Sequence, residues 1–124
     1  MEERCEFCEI VAGRAPAVIR HQEPELIVFK NRLTHVPVML LIVPRRHMSQ
    51  EEFWASPLFA RAAALAVALG TEDAPGGFRL ISNFWLDALQ TQAHGHLHVL
   101  GGTRLGYYLR PGEGFLPETY PGRS

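Results

Sequence analysis

Apolar positions along the chain fall into short runs separated by proline, glycine and charged residues, and the spacing inside each run predicts its element. Phe7 to Ala12 reads as one or two helical turns closed by Gly13. Ala17 to Arg20 and Leu26 to Lys30 are short β-prone runs on either side of Glu23-Pro24, which predicts a hairpin. Val38 to Val43 is apolar until Pro44 stops it; six residues are too few for a stable helix, so the run predicts a central strand buried on both faces. Ser49-Gln50-Glu51-Glu52 is a capping box, in which the serine hydroxyl and the glutamate carboxylate satisfy backbone donors at a helix start. Ser56-Pro57 offers a second start, with proline at the first helical position. Leu58, Ala62, Leu65 and Leu69 then follow at helical spacing, so one long amphipathic helix is predicted to end near Gly70.

Phe78 to Asn83 and Ala93 to Leu100 are the last two strand candidates, and the segment from Gly101 onward is rich in glycine, proline and tyrosine. That segment, carrying Tyr107, Tyr108 and Tyr120, is too poor in periodic apolar residues to form a core. It is predicted to be extended and to lie along the sheet or reach a partner chain. Five strand candidates and few obligatory crossovers predict an α+β fold with a largely antiparallel sheet. The expected organisation is a single domain over 1–124, with its core in 5–102 and a tail over 103–124.

Composition narrows the partners. In 124 residues, 47% hydrophobic and 20% charged, 12 basic side chains face 13 acidic ones, so no chain-wide field attracts a nucleic-acid backbone or an anionic membrane. The longest apolar run, Val36 to Val43, is broken by Pro37 and falls well short of the roughly 18 residues that a membrane span needs. The charged start, Met1-Glu2-Glu3-Arg4, leads into no apolar stretch of the secretory kind, which predicts a cytoplasmic protein. The expected partners therefore exclude nucleic acid and membrane.

Candidate chemistry concentrates in His94-Gly95-His96-Leu97-His98-Val99-Leu100. Successive side chains of a strand point to opposite faces, so His94, His96 and His98 are predicted on one face, about 6.6 Å apart, with Leu97 and Val99 on the other. A row of neutral imidazoles suits either metal ligation or nucleophilic and proton-transfer work near neutral pH. Cys5-Glu6-Phe7-Cys8 supplies half of a tetrahedral metal site; on its own it leaves metal, redox and ordinary thiol roles open. A redox role of the thioredoxin kind is disfavoured because the pair does not follow a strand in a βαβ unit. His47, just after Pro44, and His94 are the candidates to complete a metal site. His21 and His35 stand in turn-like surroundings without a partner pattern and are expected to be exposed and inert. Arg45-Arg46 reads as a solvated strand end within reach of phosphate, and Phe84-Trp85 as a base-pocket wall, a core contact or a dimer contact.

The chain resembles the histidine triad (HIT) superfamily, whose signature is His-φ-His-φ-His-φ-φ with φ hydrophobic; His94 to Leu100 matches six of the seven positions. The following Gly101-Gly102 looks like the Hint branch of nucleoside phosphoramidases. Cys5 to Gly13, Leu41 to His47, Asn83 and Gln90 are also similar to the family. The resemblance implies a five-stranded antiparallel sheet with one long and one short helix, paired across a homodimer into a ten-stranded sheet. It implies a hydrolase for purine nucleotide derivatives, nucleoside phosphoramidates above all, acting through a nucleotidyl-histidine intermediate. A dinucleoside polyphosphate hydrolase, or a nucleotide-binding zinc module with little turnover, is the alternative.

By position, His96 corresponds to the nucleophile, His98 to a phosphate contact, and Thr91 to a residue near the leaving group. Asn83 and Gln90 would hold phosphate and the active-site loop. Asn31 falls where the family commonly carries an acidic residue on the ribose hydroxyls, and an amide there keeps an acceptor while losing a charge-assisted bond. Met39 stands where many members have another histidine, and Gly95 breaks the hydrophobic pattern beside the nucleophile. Bacterial relatives with both cysteines bind a structural zinc through residues corresponding to Cys5, Cys8, His47 and His94, which implies the same cofactor here.

Overall fold

The computed structural model describes residues 4–107. The helices are α1 (Glu6–Val11), α2 (Gln50–Ala55) and α3 (Leu58–Asp73), and the strands are β1 (Ile19–Gln22), β2 (Leu26–Lys30), β3 (Val38–Pro44), β4 (Phe78–Ile81) and β5 (Leu97–Gly101), with a 3-10 turn at Leu86–Ala88. The strands form one sheet in the order β1-β2-β3-β5-β4, and every pairing is antiparallel. The predicted α+β class and the central position of Val38 to Val43 are both observed. The expected tail lies, beyond Tyr107, outside the described residues. Among the described residues no helix is long and apolar enough to cross a membrane.

Alternation along the strands sorts the apolar residues into two cores. Leu26, Val28, Leu40, Ile42, Leu97 and Val99 pack against Ala62, Leu65, Ala66 and Leu69 of α3, together with Phe53 and Met48. On the opposite face Ile27, Phe29, Leu41 and Val43 pack with Phe7 of α1. Burying each large aliphatic side chain stabilises the fold by about 1.5–3 kcal/mol, so both faces hold the strand register. In that register Phe29, Leu41 and His98 stand abreast on β2, β3 and β5. A slip of β5 by one residue would drive His98 into the α3 core and turn Leu97 and Val99 away from it.

The helix starts follow their local chemistry. Ser49 Oγ accepts from the Glu52 backbone N–H (3.1 Å) while Glu52 Oε1 accepts from the Ser49 N–H (2.8 Å), which is the predicted capping box. Proline lacks the N–H that would continue this helix, so α2 ends at Ala55 and is a second short helix beside α1. Ser56, extended at φ −76° and ψ 145°, accepts at Oγ from the Leu58 N–H (3.0 Å) and opens α3. Arg20 then forks onto Asp73 (2.8 and 3.0 Å), fastening β1 to the end of α3 and holding that carboxyl below its ordinary range.

Strand limits differ from those predicted. β1 lies two residues later, with a bulge between Ile19 and His21, and β4 ends at Ile81. The largest difference is at β5, which begins at Leu97 and not at Ala93. The preceding residues bend against the start of α2, where the Gly95 N–H donates to the Met48 carbonyl (2.8 Å) and leaves no ladder partner to take. A Cβ on Gly95 would stand 2.7 Å from Phe53 Cβ and 3.0 Å from the Ser49 carbonyl, which explains the glycine that interrupts the hydrophobic pattern. Neither neighbour is a flexible chain end. Gly95→Ala is expected to cost about 1–3 kcal/mol, seen as a lower melting temperature in thermal unfolding; an unchanged melting temperature would refute the close approach.

Candidate active site and metal centre

The α1 face of the sheet carries a cavity of about 600 Å³. Its apolar wall includes Phe7, Ile10, Phe29 and Leu41, and its polar lining includes His96, His98, Thr91, Gln92 and Asn31. The outward alternation of β5 places His98 there, beside the ring of His96 at a centroid distance of 4.9 Å. His96 itself precedes the strand. Its N–H donates to Gln50 Oε1 (2.7 Å) and its carbonyl accepts from Ser82 Oγ (2.7 Å), so both sides of its peptide are tied to neighbouring segments. Phe7 packs edge-on against the His96 ring at 5.3 Å and against Phe29 at 5.4 Å.

The hydrogen bonds also settle the tautomers. His96 Nδ1 lies 2.8 Å from the His94 carbonyl oxygen, which can only accept; Nδ1 therefore carries the proton and Nε2 keeps its lone pair. Burial pushes the His96 imidazole below its ordinary pKa. Burial, with the adjacent His96, takes His98 down to about 4. Both rings are neutral at neutral pH, the state in which an imidazole is a nucleophile.

His94 has other partners. Phe7 packs edge-on against the rings of both His94 (5.9 Å) and His96 (5.3 Å), so the two share the α1 side of the sheet, but they take different partners: His96 and His98 line the cavity, while the fully buried His94 joins Cys5, Cys8 and His47. Its Nε2–H donates to the Pro44 carbonyl (2.7 Å), leaving the Nδ1 lone pair toward the thiols. Nδ1 lies 3.4 Å from Cys5 Sγ, 3.5 Å from Cys8 Sγ and 3.2 Å from His47 Nδ1, and Cys8 Sγ lies 3.4 Å from His47 Nδ1. A tetrahedral zinc with two sulfur and two nitrogen ligands sets neighbouring ligand atoms about 3.3–3.6 Å apart for S–N and N–N pairs, and all four separations lie within about 0.1 Å of that range. The four residues therefore fit a closed Cys₂His₂ site, and they can hold a metal ion. Burial and the Cys5 thiol push Cys8 up to about 11, a tension that a cation between the sulfurs relieves.

The remaining predicted residues fall into two groups. Asn31 and Thr91 line the cavity, whereas Asn83 and Gln90 do not. Gln90, almost fully buried, accepts at Oε1 from the Trp85 N–H (2.9 Å) and donates from Nε2 to the Gln92 carbonyl (2.9 Å). It thereby closes the loop that carries Thr91. That loop contains two left-handed non-glycine residues, Trp85 (φ 67°) and Leu89 (φ 59°), each costing about 1–3 kcal/mol of strain that the Gln90 bonds offset. Asn31 Oδ1 accepts from the Leu33 N–H (3.0 Å) within a turn, which takes one of the two lone pairs of the acceptor expected for ribose. Arg45 donates to the Glu23 carbonyl (2.7 Å) and Gln22 Oε1 (3.0 Å), bracing the β1–β2 hairpin away from the cavity. His35 is exposed, and His21 pairs with Glu23 at 3.0 Å. Phe84 packs on Trp54 at 5.8 Å, outside the cavity.

Sequence reasoning missed Gln50, Ser82 and Phe7. Gln50 sits inside the capping box, where a polar residue reads as exposed, and Phe7 reads as helix packing. Only the C-x-x-C around Phe7 hinted that its helix approaches a site.

Comparison with known proteins agrees with this geometry. The HIT-domain family model matches residues 12–105. An uncharacterized HIT-like protein of Synechocystis is 30% identical over 109 residues, covering 82% of this chain and 93% of that protein. Among solved structures, a HIT family hydrolase from Clostridium thermocellum superposes with a TM-score of 0.79 at 28% identity, covering 89% of this chain and all of that one. A histidine triad protein from Clostridium difficile gives a TM-score of 0.77 at 26% identity, covering 87% and 99%. The cavity histidines, the order of the strands and these likenesses converge on one assignment: the chain belongs to the HIT domain family.

Proposed function

We propose that the protein hydrolyses nucleoside 5′-monophosphate derivatives, purine nucleoside phosphoramidates in particular, through a nucleotidyl-His96 intermediate. The observation that carries this reading is the His96 tautomer: Nδ1–H is held by the His94 carbonyl, so a neutral ring offers Nε2 at a cavity. In the first step Nε2 attacks the α-phosphorus, a P–N bond to His96 forms, and the P–N bond to the leaving amine breaks as that amine takes up a proton. In the second, water attacks the same phosphorus, the bond to Nε2 breaks, and nucleoside 5′-monophosphate leaves with His96 restored. His98 hydrogen-bonds a phosphate oxygen, Thr91 stands near the leaving group, and the apolar wall of Phe7, Ile10, Phe29 and Leu41 receives the base. Asn83 and Gln90 act through the loop and not by contact. Among the described residues no strand pairs with the outer edge of β4, which supports a homodimer with a continuous ten-stranded sheet, since an open edge strand needs a partner.

The test is turnover of adenosine 5′-monophosphoramidate, with a dinucleoside polyphosphate and a nucleoside triphosphate as comparators. His96→Ala is expected to lower kcat on the phosphoramidate at least about a hundredfold while leaving folding and affinity for the monophosphate nearly unchanged. A variant keeping a tenth of wild-type turnover would show that the nucleophile is another group.

In the same reading Cys5, Cys8, His47 and His94 hold a structural zinc, which supplies folding free energy and no open coordination position. Metal analysis of the purified protein is expected to find about one zinc per chain, and Cys8→Ser to lose it together with several degrees of melting temperature. Metal-free protein with wild-type stability would sink this assignment.

Asn31 gives a third prediction. With one Oδ1 lone pair taken by Leu33, the side chain has one neutral acceptor position and its NH₂ to offer a ribose. Asn31→Asp keeps the turn acceptor and adds a second, charged oxygen for a ribose hydroxyl. Affinity for adenosine 5′-monophosphate is expected to rise by about 3–10-fold in calorimetric titration. Unchanged or weaker binding would place the ribose elsewhere in the cavity.

A further inference from the structure

We propose that Gln50 is a positioning residue for the nucleophile: it fixes the His96 peptide, and through it the imidazole, against the cavity. The inference rests on the phosphoramidase reading for its kinetic consequence and on geometry for its mechanism. Gln50 is the first residue of α2, a place where a polar side chain normally meets water, yet it is completely buried. Both ends of its amide are used. Oε1 accepts from the His96 N–H at 2.7 Å, and Nε2 donates to the Asn83 carbonyl at 3.2 Å. One side chain therefore joins three segments that are remote in sequence: the start of α2, the residues leading into β5, and the loop that ends at Gln90.

The His96 ring hangs from this arrangement. Its Nδ1 is held by a carbonyl two residues back, so the ring moves with the local backbone, and that backbone is not part of the sheet ladder. Among the described residues the contacts tying the His96 peptide to the scaffold are those from Gln50 and Ser82. The capping box fixes α2 at the adjacent residue, so Gln50 extends from a rigid base. Removing Oε1 would free the His96 N–H in a buried place, and the peptide would rotate to find another acceptor. A displacement of the reacting nitrogen on the scale of an ångström is enough to lose most of the rate without loosening the substrate.

The experiment compares wild type, Gln50→Leu and Gln50→Glu. The leucine variant keeps the volume and loses both hydrogen bonds. The glutamate variant, buried as the neutral acid, keeps an acceptor for His96 and a donor for Asn83. On adenosine 5′-monophosphoramidate, kcat of Gln50→Leu is expected to fall about 10–100-fold with KM within about twofold, and Gln50→Glu to recover most of the loss. A kcat within twofold of wild type in the folded leucine variant, or a change confined to KM, would overturn the proposal. A role in packing alone would lower the melting temperature of both variants and leave kcat per folded molecule unmoved. If wild type turns over no phosphoramidate, the functional reading fails separately, and hydrogen exchange of the His96 amide decides the positioning claim. Protection lost in Gln50→Leu but retained in Gln50→Glu, with the circular dichroism of both unchanged, upholds it; protection unchanged in the leucine variant refutes it.

Discussion

The close contact between residues 93–96 and the start of α2 is the constraint on which the rest of the site depends. The chain leaves the sheet there, the Gly95 N–H takes the Met48 carbonyl, and the missing Cβ of Gly95 lets the backbone lie against Phe53. Around this contact His94 joins Cys5, Cys8 and His47 while His96 and His98 reach the cavity.

This explains which parts of the molecule are legible in the sequence. The capping box at Ser49, the proline stop after Ala55 and the central strand at Val38–Pro44 depend on neighbours a few residues away, and each is present where local chemistry places it. The predicted length of β5 failed because Ala93 to His96 alternates like a strand, and nothing local reveals that α2 lies against Gly95. Gln50 was hidden for a related reason. Its position predicts exposure, and only the folded chain brings the His96 N–H and the Asn83 carbonyl to its amide. The four metal-site residues could be named because cysteine and histidine announce their chemistry, although their convergence to within 4.8 Å is a property of the fold.

Function adds costs that the scaffold must offset. Two buried neutral histidines, two left-handed loop residues and a bend outside the ladder are each unfavourable locally. The sheet around them is buried on both faces, and Gln50 and Gln90 have partners on both the oxygen and the nitrogen of their amides. Among the described residues no buried side-chain nitrogen or oxygen lacks a partner.

Two carbonyl oxygens then account for how one residue type does two kinds of work. The Pro44 carbonyl takes the Nε2 proton of His94 and so aims a lone pair on Nδ1 at the thiols; the His94 carbonyl takes the Nδ1 proton of His96 and so leaves the lone pair on Nε2. The opposite tautomers follow from where the backbone acceptors lie, since an oxygen with only lone pairs compels the facing nitrogen to be protonated. A free imidazole in water exchanges between both forms, and a site needing one of them would bind or react only part of the time. Fixing each form by main-chain geometry makes the choice independent of side-chain neighbours. The backbone of residues 94–96 thereby links the candidate metal site to the cavity: the carbonyl that orients His96 belongs to His94, and His94 is held in turn by the end of β3.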